Sequence, residues 1–430
     1  MSKIKSTISY NTLWNFTGSL IPMLIGLASI PFLLNEIGVE RFGVLTLVWT
    51  LIGYFSIFDF GIGRALTYQV SNSLNKNSYS KLLSIIKEGL RLMLITGVLG
   101  GALLALISKN LGYSWLNVSQ SLMKESYVSI LFASFAIPMT TYTIGLKGIL
   151  EGFEDFKSVN LLKLLLGVFN FGFPVLAVIL YGSSLIYIVL SLILSRLIIF
   201  ILHFVFVNKK ISIKSVFKSK NADKKGKKEL LNFGVWMTLS NIVSPLMVSA
   251  DRFIISFIIG ASAVAYYTVP FDMVIRLLVI PASLTTVLFP RFSDLLVNER
   301  DSAMNLFKKS KKIIFIVMFF LSICIMIFSH FGLTIWIGED LADKSWMIMS
   351  VLSIGLLFNS LAQVPYALIQ AAGKVKLTSI IHLCEFFSYI ILLLILLNIF
   401  GIIGAAIAFV LRVFFDYIIL NYFSKKILKD

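Results

Sequence analysis

The sequence predicts an all-α integral membrane protein of about twelve transmembrane helices, arranged as two related six-helix bundles. Three observations carry that prediction. Of 430 residues, 58% are hydrophobic and only 14% charged, with a mean hydropathy of +0.92; an ordinary soluble domain carries about 25% charged residues. Apolar runs of about 20 residues recur along the whole chain, the length that crosses a hydrocarbon core of roughly 30 Å. The two halves also echo each other at an offset close to half the chain length.

Taken in order, the apolar runs fall at 10–34, 43–63, 85–107, 126–149, 158–180 and 185–207, then at 231–258, 263–290, 313–335, 345–369, 377–397 and 401–423. They define an N-terminal lobe (1–207), a basic linker (208–230) and a C-terminal lobe (231–430). The first run follows Lys3 and Lys5 and is expected to be a retained helix. It is too long for a secretory signal, and no small-x-small cleavage site follows it. Between the first two runs, Ile37-Gly38-Val39-Glu40-Arg41-Phe42-Gly43 answers Ile259-Gly260-Ala261-Ser262-Ala263-Val264-Ala265, 222 positions on (37 to 259). After the fourth, Ile149-Leu150-Glu151-Gly152 answers Gln370-Ala371-Ala372-Gly373, an offset of 221 (149 to 370). Before the sixth, Tyr181-Gly182 answers Phe400-Gly401, an offset of 219 (181 to 400). A duplicated membrane bundle points to a transporter, because repeats can rock against each other around a site at their interface.

The net charge of +17 would point to nucleic acid in a soluble protein, but its distribution points to topology instead. Of 38 Lys and Arg, about 30 fall on one side of the membrane if the N-terminus starts there. Nine of these are lysines between Lys209 and Lys228, whereas the opposite side holds Arg41, Lys109, Lys124 and Lys344. That bias is the positive-inside rule and puts both termini in the cytoplasm. The linker is read as an orientation signal and solvated tether. Its alternative is a patch that grips anionic headgroups. Nucleic acid is excluded as a partner, since Phe217 is the linker's one aromatic and it has no arginine to stack on bases.

Enzymatic chemistry finds little support. Cys324 and Cys384 each lie inside an apolar run, and His203, His330 and His382 are scattered. No metal-ligand spacing or phosphate-binding glycine loop is present, so no metal or cofactor is expected. Of the external loops, only 108–125 and 336–346 have any length, which leaves no room for a catalytic domain.

The cargo is read from charges inside the bilayer, which are costly and functional by default. Arg196, Arg252, Arg276 and Arg412 lie within predicted spans, and Arg64 stands at the cytoplasmic end of the second. Several acids lie near them: Asp272 is four residues before Arg276, Asp416 four after Arg412, Asp251 abuts Arg252, and Asp59 precedes Arg64 by five. Glu385 sits three residues after His382. Such pairs can be interhelical ties, and about half are expected to be. Arg196, however, has no acid within a helical turn, so arginine is expected to exceed its partners. Guanidinium is the cation best shaped for bidentate contact with phosphate, and the surplus points to an anionic cargo that bears a diphosphate. Asn11, Trp14, Asn15 and Thr17 are candidates to line the cavity. Pro22 and Pro245, near-equivalent in the two halves, and Pro270, Pro281 and Pro290 are expected to kink their helices.

Several of these residues form longer patterns. Asn15…Pro31…Gly38-x-Glu40-x-Phe42-Gly43 is followed by Phe58-Asp59-Phe60-Gly61-Ile62-Gly63. The second half has Asp251-Arg252-Phe253-Ile254-Ile255, Gly260, Ala265-Tyr266-Tyr267, Phe289-Pro290-Arg291-Phe292 and Gly401-Ile402-Ile403-Gly404-Ala405-Ala406. Over essentially the whole chain this resembles the bacterial polysaccharide-biosynthesis flippases, the Wzx-type O-antigen or capsule repeat-unit translocases. They belong to the multidrug/oligosaccharidyl-lipid/polysaccharide exporter superfamily. The resemblance implies two six-helix lobes forming a V around a central cavity. It implies as cargo an undecaprenyl-diphosphate-linked oligosaccharide, moved from the cytoplasmic to the outer leaflet of the inner membrane for O-antigen, capsule or related surface polysaccharide. Membrane lipids, a polysaccharide polymerase and assembly proteins are the implied partners. The candidate substrate-binding residues are Arg64, Arg196, Arg252, Arg276, Arg412, Asn15, Asp59, Asp251 and Asp272. The first helix has no carboxylate between Tyr10 and Asn35, where multidrug exporters of the superfamily often carry a cation-coupling aspartate. Two alternatives stand beside this reading: a multidrug exporter of the same fold, disfavoured by the arginines, and a membrane polymerase, disfavoured by the short loops.

Overall fold

The computed structural model describes residues 21–22, 24–75, 79–219 and 249–429; Asn11, Trp14, Asn15, Thr17 and Pro245 lie outside them. The chain divides into two compact units, Met1–Pro245 and Leu246–Asp430. Unit 1 contains α1 (Leu24–Ile37), α2 (Val39–Phe55), α3 (Ile62–Asn75), α4 (Tyr79–Asn110), α5 (Gln120–Ala133), α6 (Ala136–Gly152), α7 (Phe156–Tyr181), α8 (Leu185–Lys210) and the short α9 (Ile213–Lys218). Unit 2 contains α10 (249–258), α11 (Ala261–Arg276), α12 (Val279–Asn298), α13 (Arg300–Ile337), α14 (Glu339–Ala371), α15 (Val375–Phe400) and α16 (Ile402–Lys429). Among the described residues nine helical spans are long and apolar enough to cross a membrane, so the chain is a multi-span membrane protein. The three other expected spans correspond to α1, to α2 with α3, and to α10. The second of these is interrupted by a 3₁₀ turn at Ser56–Asp59.

The helices outrun the apolar runs that predict them. α13 covers 38 residues where the apolar run spans 313–335, because its first turns carry lysines that extend the helix into the headgroup region. Two further spans are broken, and in these proline is the reason. Before Pro138 the amides of Phe135 and Ile137 bond back three residues, to Phe132 and Ser134. Before Pro281 those of Leu277, Leu278 and Ile280 do the same. Proline supplies no N–H, and its ring crowds the carbonyl four residues back.

The repeat is visible in the turns within each unit. Gly38 and Gly260 both take positive φ, as do Gly182 and Gly401, at the register read from the sequence. At the end of the fourth span the register shifts by two residues. Phe153, Glu154 and Asp155 donate to Ile149, Glu151 and Leu150, the pattern with which Ala372, Gly373 and Lys374 donate to Leu368, Gln370 and Ile369. The left-handed position is therefore Glu154 in unit 1 (φ +58) and Gly373 in unit 2 (φ +73). Matching Gly152 to Gly373 follows the residue type and misses the backbone. Gly152 instead permits close helix packing, since a Cβ there would strike Val70 of α3.

The start of the expected linker is packed structure. α8 runs through Lys209 and Lys210, and Ile211, Ile213 and Val216 are buried in the core of unit 1. Lys87 of α4 donates to the Ser219 carbonyl at 2.6 Å, and Lys210 meets Asp155 at 2.9 Å. Ile213 and Val216, three apart, are the short helical signal that the lysine density obscures. Residues 220–230 lie outside those described.

Candidate functional site: a buried charge network in unit 2

Unit 2 gathers its charges in two linked groups. Asp251 of α10 is 1% exposed. It accepts a bond from the Tyr267 hydroxyl at 2.8 Å, a longer one from Tyr389 at 3.5 Å, and the amide of Arg252 at 2.8 Å. Arg252 donates through Nη2 to Asp272 of α11 at 2.7 Å and lies 6.0 Å from the Phe271 ring. Four residues separate Asp272 from Arg276, but the ion pair that Asp272 forms is across helices, with Arg252. Arg276 ends α11, half-buried.

The second group joins α15 and α16. Arg412, buried, sits 5.0 Å from the Tyr389 ring and 5.1 Å from that of Phe409, and its Nε is 3.6 Å from Glu385. Asp416 lies 3.8 Å from Nε2 of His382, and the His382 ring stacks on Tyr366 of α14 with centroids 5.6 Å apart. The Arg412 charge acts on Asp416, as the sequence spacing suggests, and the fold adds to each a partner on the neighbouring helix. His382, Glu385 and Asp416 each offer one ligand atom, all within 4.8 Å of one another. They are the described residues best placed to hold a cation, with the Arg412 guanidinium at their edge. Tyr389 links the groups, its ring under Arg412 and its hydroxyl toward Asp251.

This network reverses the expected balance of charge. Four carboxylates (Asp251, Asp272, Glu385, Asp416) face Arg252, Arg412 and His382, and both arginines meet carboxylates. Tyr267 and Tyr389 were absent from the sequence-derived candidates. A signal existed for Tyr389: His382, Glu385 and Tyr389 at i, i+3 and i+7 share one helical face.

Unit 1 disposes its candidates differently. Arg196 of α8 donates to Asn170 Oδ1 of α7 at 2.9 Å, while its Nε and Nη1 are enclosed without a hydrogen-bond partner among the described residues. Asp59 caps a turn by accepting from Gly61 N at 3.0 Å, with Phe60 and Gly61 both at positive φ, and Arg64 is exposed on the first turn of α3. Glu40 accepts both the amide and hydroxyl of Ser119, at 2.6 and 2.9 Å, as α5 begins. Glu125 takes the amide of Leu185 at 2.6 Å and pairs with Arg41 at 3.1 Å. These two carboxylates fasten helix starts, where free N–H groups and the helix dipole favour negative charge.

With this arrangement in view, the comparisons with known proteins are specific. Residues 8–296 match the family of polysaccharide biosynthesis proteins. The chain belongs to that family. It is 33% identical over 416 residues, 97% of both chains, to a Shigella flexneri protein named for O-antigen transport. It is 30% identical over 129 residues, 29% of this chain and 30% of the relative, to a Yersinia pseudotuberculosis protein named for O-antigen export. Among solved structures it resembles an inward-facing conformation of a multidrug resistance MATE family transporter of the MOP superfamily. The TM-score is 0.83 at 14% identity, covering 96% of this chain and 98% of that one. The fold is thus that of the superfamily the sequence motifs resembled.

Proposed function

We propose that this family member is a flippase: it turns an undecaprenyl-diphosphate-linked oligosaccharide repeat unit from the cytoplasmic to the outer leaflet of the inner membrane. The observation that carries the reading is the similarity to the O-antigen transport protein along 97% of both chains. The interior charges support it. Arg196 keeps two guanidinium nitrogens without a hydrogen-bond partner among the described residues, and a diphosphate or acidic sugar would supply acceptors of the right geometry. Arg64 and Arg276 are the further candidates to meet the cargo. In this reading the two units are the lobes that alternate access, and both termini are cytoplasmic, following the lysine bias.

The test is complementation of a strain lacking its own repeat-unit flippase. The expected result is restored surface polysaccharide with the wild-type chain. With Arg196→Leu, lipid-linked repeat units should accumulate on the cytoplasmic leaflet while the protein inserts at normal levels. Restoration of drug efflux without surface polysaccharide would overturn the reading in favour of the multidrug exporters that share the fold.

A further inference from the structure

α12 and α13 meet at Glu299, and between them lies a cleft of about 600 Å³ that belongs wholly to unit 2. Arg291 on one wall and Lys308, Lys309 and Lys312 on the other face it, against the single carboxylate of Glu299. Glu299 is occupied by the Ser302 hydroxyl at 2.9 Å, and Arg291 stands 3.8 Å from Asp294. The neighbouring Lys311 points elsewhere. It donates to Asn421 at 2.6 Å and lies over the Phe307 and Tyr417 rings at 5.4 and 4.9 Å. The lysines of this helix are therefore sorted: one ties α13 to α16, and three line the cleft with no carboxylate partner among the described residues.

The position of the cleft along α13 identifies its ligand. At about 1.5 Å per residue the 38-residue helix is roughly 57 Å long, well beyond the roughly 30 Å of hydrocarbon. The uninterrupted apolar stretch starts at Ile313, so the three lysines stand at headgroup depth. Their faces continue as apolar stripes. Ile313, Ile316 and Phe320 follow Lys309 and Lys312 on one helical face and are 54%, 55% and 70% exposed. Phe315 and Phe319 follow Lys308 and Lys312 in the same way. Cations above an exposed apolar track fit an amphiphile with an anionic head; a soluble anion would have no use for the track.

We propose that this cleft binds the phosphate headgroup of a lipid, with its hydrocarbon chain laid along the exposed face of α13. Two lipids share that chemistry: bulk anionic phospholipid, and the polyprenyl diphosphate carrier. The second would make the cleft a place where cargo is first held. That arm alone rests on the transport reading.

The experiment is a native mass-spectrometry titration of the full-length protein in detergent with phosphatidylglycerol, phosphatidylcholine, undecaprenyl diphosphate and inorganic phosphate. Wild type should prefer phosphatidylglycerol to phosphatidylcholine. The triple K308Q/K309Q/K312Q variant should lose that preference, by about fivefold per lysine and on the order of 100-fold in all. K308R/K309R/K312R should retain it, which separates lost charge from lost fold. K425Q/K426Q/K429Q should bind as wild type, which separates this cleft from general basicity. Tighter binding of undecaprenyl diphosphate than of phosphatidylglycerol assigns the site to the carrier, and equal binding assigns it to bulk lipid; both support a lipid headgroup site. The proposal is overturned if the glutamine variant keeps the wild-type preference, or if inorganic phosphate binds as tightly as either lipid. Because the titration requires no transport, a chain that failed to flip oligosaccharide would still report on this cleft.

Discussion

The two units repeat the same turns and fill their interiors differently. In unit 1 the Arg196 guanidinium is enclosed among helices, and among the described residues it bonds to a single side-chain amide, that of Asn170. In unit 2, α10, α11, α15 and α16 bring four carboxylates, two arginines, a histidine and two tyrosines into one connected network. The turns agree because backbone geometry at a helix end depends on few residues, and a duplicated chain can keep it while its side chains diverge. The interiors differ because a charge in low dielectric demands partners, and each unit met that demand separately. In unit 2 both arginines meet carboxylates on neighbouring helices, whereas in unit 1 two Arg196 nitrogens have no hydrogen-bond partner among the described residues. A duplicated scaffold can thus keep its turns while one half links its charges across helices and the other encloses an arginine beside an amide.

The sharpest way to break that contrast is to remove a charge from unit 2. Arg252→Ala strands Asp272 and takes a compensating charge from buried Asp251. A loss of about 3–5 kcal/mol is expected, the cost of breaking a buried pair from one side. It would appear as a large drop in thermal stability by fluorescence-detected size exclusion. The double variant Arg252→Ala/Asp272→Ala should recover most of the loss. If it does not, Arg252 is no tie, and its place beside Arg196 as a cargo contact is restored. The corresponding Arg196→Leu change in unit 1 should leave stability near wild type, since replacing a poorly satisfied buried charge by an apolar group is often neutral or better.

A smaller effect tests whether the tyrosines belong to the network. Tyr267→Phe removes the donor 2.8 Å from Asp251 and changes little else in a fully buried ring. Leaving that carboxylate oxygen under-satisfied is expected to cost about 1–3 kcal/mol. Tyr389→Phe, whose hydroxyl is 3.5 Å away, should cost less, because a bond that long is weak. Equal effects in the two variants would show that packing rather than the hydroxyl bond is being measured.

These predictions rest on contacts that the sequence showed unevenly. Membrane class, helix positions and the repeat were legible, because apolar length and glycine at helix breaks are local signals. The charged residues were legible as residues but only partly as pairs. Spacing along α11 pairs Asp272 with Arg276, whereas the fold pairs Asp272 with Arg252 across helices. Spacing along α16 pairs Arg412 with Asp416, to which the fold adds Glu385 on the neighbouring helix. A single sequence carries i, i+4 relations and says nothing of which helix lies alongside. Tyr267 and Tyr389 were missed for a related reason: an aromatic residue in an apolar run reads as core, and only a neighbouring Asp251 makes its hydroxyl matter. Glu40 belongs to the motif that marked the family, yet its contacts to Ser119 show a fastening role that the motif could not reveal.

The next contrast lies at the start of the fifth span of each unit. Asp155 caps α7 by accepting from Ser158 N at 3.2 Å, whereas Lys374 holds the same place before α15 and makes no side-chain cap. Carboxylates are favoured at helix starts and lysines are not. Asp155→Ala should therefore cost about 0.5–2 kcal/mol, and Lys374→Asp should stabilise unit 2 by an amount toward the low end of that range. Burial pushes the Asp155 carboxyl up, but the Lys210 ammonium and the Ser158 bonds outweigh it and hold the carboxyl below its ordinary value. The folded value is depressed, so this stabilisation is present above about pH 4 and fades as pH falls through the lower, folded value. Thermal stability measured against pH should show that acid-side loss in wild type and not in Asp155→Ala.

The smallest expected effect concerns the turn the two units share. Glu154 and Gly373 occupy equivalent left-handed positions with the same pattern of backbone bonds, and both are exposed. A side chain at positive φ crowds its own backbone, and glycine does not. Glu154→Gly should therefore stabilise unit 1, and Gly373→Ala should destabilise unit 2, each by about 0.5–1 kcal/mol. A Cβ at Gly373 would meet no atom within 4 Å, so the loss there would report backbone strain and nothing else. Melting temperatures of the two single variants and of the pair decide the matter. Opposite shifts that cancel in the double variant would show that the register joining Glu154 to Gly373 is the true one. A loss at both positions would mean that Glu154 is held by contacts its counterpart lacks, and the two turns would then be alike in geometry but not in energy.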